Sequence, residues 1–169
     1  MPIQDSGNRR EFASGAVRDI DLDKGRCDLL PLDIIADIMY SDVLKDINFY
    51  LRGGKVRMLE QAVKDFIVYD GGFKELYTTF LEVAKHYGEG CNKYGDRNWE
   101  KGIPLHCYID SGVRHYLKWK RGDDDERHDR AFVWNMLGCL WTHQQCMQGN
   151  LSKELMDLPF SEKKKEEDI

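Results

Sequence analysis

The chain has 169 residues, of which 41% are hydrophobic and 33% charged, a globular composition sized for one domain. Its 25 Lys and Arg against 30 Asp and Glu give a net charge of −5. That argues against a general binder of nucleic-acid polymers, which needs a cationic excess to displace counterions from phosphates, but leaves room for a local basic pocket for one small phosphate ligand. No apolar run approaches the roughly 18–20 residues of a membrane span, and no signal-peptide-like stretch opens the chain, so a cytoplasmic location without membrane partners is expected. The five cysteines (Cys27, Cys91, Cys107, Cys139 and Cys146) form no CxxC pattern and read as reduced, mostly buried thiols.

Residues 1–30 are polar and rich in Gly, Asp and Arg, with no helical period. Phe12, Ala16 and Val17 make the stretch too apolar for plain disorder. Two readings stay open: a mobile arm, or an extended arm packed on the domain that carries Arg9, Arg10, Arg18 and Arg26 to an anionic ligand. Pro31 then opens a helix, where its missing N–H is no loss. This helix runs through LDIIADIMYSDVLKDINFYL to a break at Gly53-Gly54. A second helix, Val56 to Tyr69, carries Leu59, Ala62, Val63 and Phe66 at steps of three and four, and Asp70-Gly71-Gly72 ends it. A third runs from Phe73 to Asn92 with Leu76, Phe80, Val83 and Tyr87 on one side. After the loop KYGDRNWEKGIP, Pro104 starts a fourth helix that reaches about Lys120.

The turn RGDDD has helix-start character, and the fifth helix is expected from Glu126 to Met147. Its AFVWNMLGCLW stretch is apolar nearly all round, so this helix belongs at the centre. With no alternation of period two, the chain reads as all-α: a helical bundle of four to five helices with an extended N-terminal arm. The expected division is an arm (1–30), a helical domain (31–150) and a charged tail (151–169) ending in SEKKKEEDI.

Four groups of residues carry chemistry. Glu82, His86, Glu89 and Lys93 share a face of the third helix; taken alone, they read as a solvated face with helpful charge pairs. Asp110 and Arg114 stand one turn apart on the fourth helix, with Ser111 and His115 alongside. Asp123, Asp124, Asp125, Glu126 and Asp129 cluster at the head of the apolar fifth helix. Capping explains one or two acids there, not five, whereas Mg²⁺ or Mn²⁺ with oxygen ligands explains the rest. Asn135 inside the apolar run needs a partner, either as a structural bridge or as a substrate contact. The loop offers Lys93, Arg97 and Lys101 as cations, Asn98 as an amide, and Tyr94 and Trp99 as stacking faces, although Trp99 equally suits a plug at the end of the bundle. Acids on three helices, a cationic loop and no GxxxxGK[ST] motif point to metal-assisted hydrolysis of a phosphoanhydride.

The stretch HYGEGCNKYGDRNWEKGIPLHCYIDSGVRHYLKWKRGDDDERHDRAFVWN, with SGNRREFASGAVRD and KGRCDLLP before it, resembles the phage and prophage dATP/dGTP diphosphohydrolase family, related to the MazG-like all-α nucleotide pyrophosphohydrolases. The resemblance implies cleavage of a purine deoxynucleoside triphosphate to a monophosphate and pyrophosphate, host cytoplasm as the location, and homo-oligomers. MazG-like enzymes hold Mg²⁺ with ExxE on one helix and ExxD on a later one. Here His86 stands where the first Glu would, Glu126-Arg127-His128-Asp129 is a full ExxD, and Cys107-Tyr108-Ile109-Asp110 keeps only the Asp. The implied metal ligands are Glu89, Glu126 and Asp129, with Asp110 and Asp125 as further candidates. The implied catalytic groups are Glu89 (orienting water), Lys93 and Arg114, and the implied substrate contacts are Arg10, Arg18, Lys93, Arg97, Asn98, Trp99, Arg114, His115 and Asn135. Two rivals remain: an HD-type triphosphohydrolase built on His128-Asp129 with His86, His106, His115 and His143, and a helical binding module without activity.

Overall fold

The computed structural model describes residues 7–20, 24–70 and 76–161. Phe73 and most of the charged SEKKKEEDI run fall outside them. Two short strands, β1 (Arg9–Glu11) and β2 (Val17–Asp19), form an antiparallel hairpin in which Arg10 lies opposite Arg18. Among the described residues six α-helices follow: α1 (Leu32–Met39), α2 (Asp42–Gly53), α3 (Val56–Asp65), α4 (Leu76–Tyr94), α5 (Leu105–Arg121) and α6 (His128–Met147). The bundle is all-α, as periodicity and composition imply.

Several boundaries differ from the sequence reading. The first expected helix is two. Tyr40 turns left-handed (φ 51°), and Ser41 caps the next helix by accepting from the Leu44 N–H at 3.2 Å. The apolar period runs straight through this break, whereas the N-cap serine marks it. Beyond α3 the chain stays helical but widens to a π turn over Phe66–Asp70. α6 begins at His128, not Glu126, because Arg127 is non-helical and the His128 N–H closes a tight turn on the Glu126 carbonyl at 3.0 Å.

On α4, Thr79, Val83 and His86 form the buried face while Phe80 is largely exposed. The Glu82–His86–Glu89–Lys93 stripe is therefore not a solvated face: His86 is buried and the Lys93 side chain is only 6% exposed. The tail residues Leu158 and Phe160 are buried, with the Phe160 ring 5.6 Å from Tyr50 and 5.5 Å from His143. No helix among the described residues is long and apolar enough to cross a membrane.

α5 and α6 form the most extensive contact of the bundle. Their approach rests on two glycines. A Cβ at Gly138 would enter the Tyr108 ring, which is fully buried and cannot withdraw, while one at Gly112 would meet the flexible methyl end of Met136. We expect Gly138→Ala to destabilise the protein by about 1–3 kcal/mol and Gly112→Ala by less. Urea unfolding of both variants reads this directly, and equal stabilities would show that the two helices do not meet as described.

Candidate functional site

The head of α6 carries three polar residues into the interior: His128 (1% exposed), Asp129 (3%) and Arg130 (7%). Buried charges of this kind are costly unless paired, and each of these residues has a partner. Arg127 holds the Asp129 carboxylate at both oxygens (3.0 and 2.7 Å), and the Arg130 N–H donates to it at 2.9 Å. The Arg130 guanidinium reaches α4, pairing with Glu82 and lying 4.0 Å from Glu89. Hydrogen bonds from Lys85 and Arg130 hold the Glu82 carboxyl down at about 2.

His128 lies on the other side of the helix head. Its Nδ1 is 2.9 Å from Nδ1 of His115 on α5 and 3.6 Å from a Glu126 oxygen, and its Nε2 meets Asp125 at 2.7 Å. The same Glu126 oxygen is 3.3 Å from His115 Nδ1. His128 and Asp129 thus face different partners, and the HD dipeptide does not converge on one point. His106 and His143 stand elsewhere, with Asp157 and the Tyr50 hydroxyl.

Beside this head the hairpin, the end of α4, the following loop, α5 and α6 enclose a cleft of about 210 Å³. Among the described residues, six cations line it (Arg10, Arg18, Lys24, Lys93, Arg114 and Lys118) beside three acids, Asp19, Asp110 and Glu126. In a chain of net charge −5 this is a concentrated positive surface. Tyr87, Tyr94, Trp99 and Trp134 supply its aromatic wall.

Two cations are held by acids of the cleft. Lys93 donates to Asp19 at 2.6 Å, which also accepts from the Tyr94 hydroxyl at 3.0 Å. Arg114 donates to Asp110 at 2.6 Å and to the Gly25 carbonyl at 2.9 Å, and the Cys27 N–H donates to the other Asp110 oxygen at 2.6 Å. Arg18 differs. It donates to the Cys107 carbonyl (3.1 Å) and the Asn135 amide oxygen (3.2 Å), and lies over the Tyr108 and Trp134 rings, each 5.7 Å away. None of these partners carries a negative charge. Asn135 is oriented in turn by its amide donating to the Ala131 carbonyl. Asn98 uses both ends of its amide on the Val17 backbone, at 2.9 Å each, and so clamps the hairpin to the loop.

Of the residues singled out in the sequence, Arg10, Arg18, Lys93, Asn98, Trp99, Asp110, Arg114, His115, Glu126 and Asn135 meet in this cleft. Arg97 does not: its side chain is 77% exposed and pairs with Glu100. Glu89, Asp125 and Asp129 also stand outside the lining, each beside a cation or an imidazole. Asp19 and Trp134 escaped the sequence reading as site residues, and His128 entered it only as half of the HD dipeptide, although the stretch DERHDRAFVWN held a signal for it. Its single histidine opens a helix that must be buried.

Among the described residues the acids do not converge on one all-oxygen group of the kind Mg²⁺ selects. Among the described residues, the donor groups that do converge are His115–Glu126–His128 and Asp123–Asp125–His128. Each mixes imidazole with carboxylate and contains one of the five expected metal acids.

Comparison with known proteins adds one finding. The family model described as dATP/dGTP diphosphohydrolase, N-terminal, matches residues 76–151, from α4 through the end of α6. The match supports the family that the sequence resembles, and its name indicates diphosphohydrolase activity on dATP and dGTP. No curated protein and no solved structure matches the chain.

The imidazoles predict a pH response. His86 is buried beside Trp134 (ring centroids 6.0 Å apart), and desolvation, aided by the nearby Arg130, pushes it down to about 4. Burial, with His128 opposite, also pushes His115 well below its ordinary value. Both are neutral in the folded protein. The stability this represents is fully present above the unfolded value of about 6.5 and is lost as the pH falls through the folded one. Resistance to urea should therefore fall between pH 6.5 and 4, with a shallower slope in His86→Gln. Equal slopes in the two proteins would contradict the burial of a neutral imidazole.

Proposed function

We propose, on the premise of the family match over residues 76–151, that the cleft binds a purine deoxynucleoside triphosphate and directs its hydrolysis between the α and β phosphates. Water is consumed, and a monophosphate and pyrophosphate leave. The supporting observation is the charge of the cleft: six cations and four aromatic rings around one small volume in an otherwise acidic chain. A phosphate chain attached to a flat base calls for both features side by side.

On this reading Arg18 is the standing anion site, since its hydrogen-bond partners among the described residues are neutral. Lys93 and Arg114 are held by Asp19 and Asp110 until phosphate oxygens replace those carboxylates. Both then face the pyrophosphate as its charge grows, where a fixed cation lowers the barrier most. Trp99, Tyr94 and Trp134 offer faces to the base. Asn98 and Asn135 act by position, the first holding the hairpin and the second aiming Arg18. Glu89, the expected water-orienting carboxylate, stands one residue before Gly90 of the cleft wall. The expected Mg²⁺ or Mn²⁺ belongs to the proposal as part of the substrate, neutralising phosphate charge as the triphosphate enters.

The test is product analysis. The chain is incubated with each of the four dNTPs and four NTPs, with Mg²⁺, Mn²⁺ or EDTA, and the products are resolved by ion exchange. Monophosphate and pyrophosphate from purine deoxynucleotides, abolished by EDTA, is the expected result. Nucleoside with tripolyphosphate, or no turnover of any of the eight, would overturn it.

A paired substitution tests the cleft itself. Arg18→Ala should lower kcat/KM by about 100-fold, the scale for losing a charge-assisted contact to a developing anion. Arg97→Ala, outside the cleft, should leave it within about threefold, since exposed ion pairs contribute little. Equal effects would place the substrate elsewhere.

A further inference from the structure

We infer that His115, Glu126 and His128 form a binding site for a first-row divalent transition ion of the Zn²⁺ or Co²⁺ type, with one coordination position open to the cleft. This goes beyond the nucleotide reading and stands without it.

The geometry carries the inference. The three donor atoms, His115 Nδ1, His128 Nδ1 and Glu126 Oε1, are separated by 2.9, 3.3 and 3.6 Å. An ion bonded at about 2.0–2.2 Å in tetrahedral or octahedral geometry places neighbouring donors about 3.0–3.6 Å apart. The triangle therefore has the dimensions of one coordination face. The donors come from two separate places, the middle of α5 and the head of α6, and they point at one another rather than at solvent. In the ion-free chain one of the two facing nitrogens donates to the other, and loss of that single proton leaves two lone pairs aimed at one point.

A second observation fixes the tautomer. His128 Nε2 meets a carboxylate oxygen of Asp125 at 2.7 Å. An ionised carboxylate only accepts, so Nε2 carries the proton. In the neutral ring Nδ1 is then the bare lone pair, aimed at His115 and Glu126. A carboxylate that orients a ligating histidine through its far nitrogen is the usual outer partner of a metal site. Lys118 contacts the other Asp125 oxygen at 3.3 Å and fixes that carboxylate in turn.

The chemistry of the set names the class of ion. Two imidazoles and one carboxylate suit Zn²⁺, Co²⁺ and their neighbours, whereas Mg²⁺ prefers oxygen ligands. Three protein ligands leave room for another, as in sites that act on a bound molecule rather than merely brace a fold. His115 and Glu126 both line the cleft, so the open position faces the same volume as Arg18 and Arg114.

The full chain, stripped with a chelator, is titrated with Co²⁺ and followed by visible absorption, with Zn²⁺ and Mg²⁺ as competitors. One equivalent of Co²⁺ should develop a ligand-field band that Zn²⁺ removes and a large excess of Mg²⁺ does not. Glu126→Gln and His115→Gln should abolish the band. His128 is fully buried and its replacement risks the fold, so Asp125→Asn serves as the second probe. It should weaken Co²⁺ binding by about 10–100-fold with an unchanged circular dichroism spectrum, acting only through the far nitrogen of His128.

No band in the wild-type chain, displacement by Mg²⁺, or a band that persists in both Glu126→Gln and His115→Gln would overturn the site. No nucleotide enters this assay, so its failure leaves the nucleotide reading untouched, and failure of that reading leaves the ion site to stand on its spectrum.

Discussion

The structure depends on where α6 has to lie. Its stretch from Ala131 to Trp141 is apolar on nearly every side, so no orientation leaves a polar face for water. The helix must run through the middle of the bundle, and its first turn follows it inward. That turn is His128-Asp129-Arg130, two full charges and an imidazole. Leaving a buried charge unpaired costs several kcal/mol, comparable to the whole stability of a small domain. The surrounding elements are therefore constrained to supply partners: Arg127 for Asp129, Glu82 of α4 for Arg130, and His115 of α5 with Asp125 for His128. Much of the polar architecture follows from one apolar helix and the charged residues at its head.

The hairpin answers a related demand further along α6. Arg18 reaches across to the Asn135 amide and lies over the Tyr108 and Trp134 rings. A guanidinium tolerates such a place because it is weakly hydrated and stacks on aromatic faces. The hairpin is only three residues on each strand, too small to hold itself in place. It is fixed from outside by the Asn98 amide, by Ala16 buried without exposure, and by the Lys93–Asp19 pair. The same contacts that hold the strands make them one wall of the cleft.

The helical class, the central place of the last helix and most of the cleft residues were legible in the sequence, because each rests on a local pattern. Pro31, Pro104 and the glycine breaks mark helix limits, and a run with no polar face can only be buried. What escaped depends on contacts distant in the chain. The Glu82–Lys93 stripe has the spacing of a solvated face, and only the arrival of Arg130 from α6 and Asp19 from the hairpin shows that it faces inward. The break at Tyr40-Ser41 is local, but a strong apolar period masks the weaker capping signal. His128 passed as half of a dipeptide because adjacency in the chain suggested joint action. In the fold, neighbouring side chains on a helix diverge by about 100°, so His128 and Asp129 serve different partners.

The acids of the cleft have a consequence for how such a site stays folded when empty. Six cations crowded around a small volume repel one another, and the repulsion is felt more strongly where water is scarce. Asp19 and Asp110 relieve it by occupying Lys93 and Arg114, each at 2.6 Å. An anionic ligand need not bring in new positive charge or rearrange helices; it only has to displace two carboxylates that are tethered beside it. Because Asp19 comes from the hairpin and Asp110 from α5, displacement of both acids by an anion would act on two of the elements that line the cleft. The charge pattern that keeps the empty site stable thereby also couples its walls to whatever anion enters.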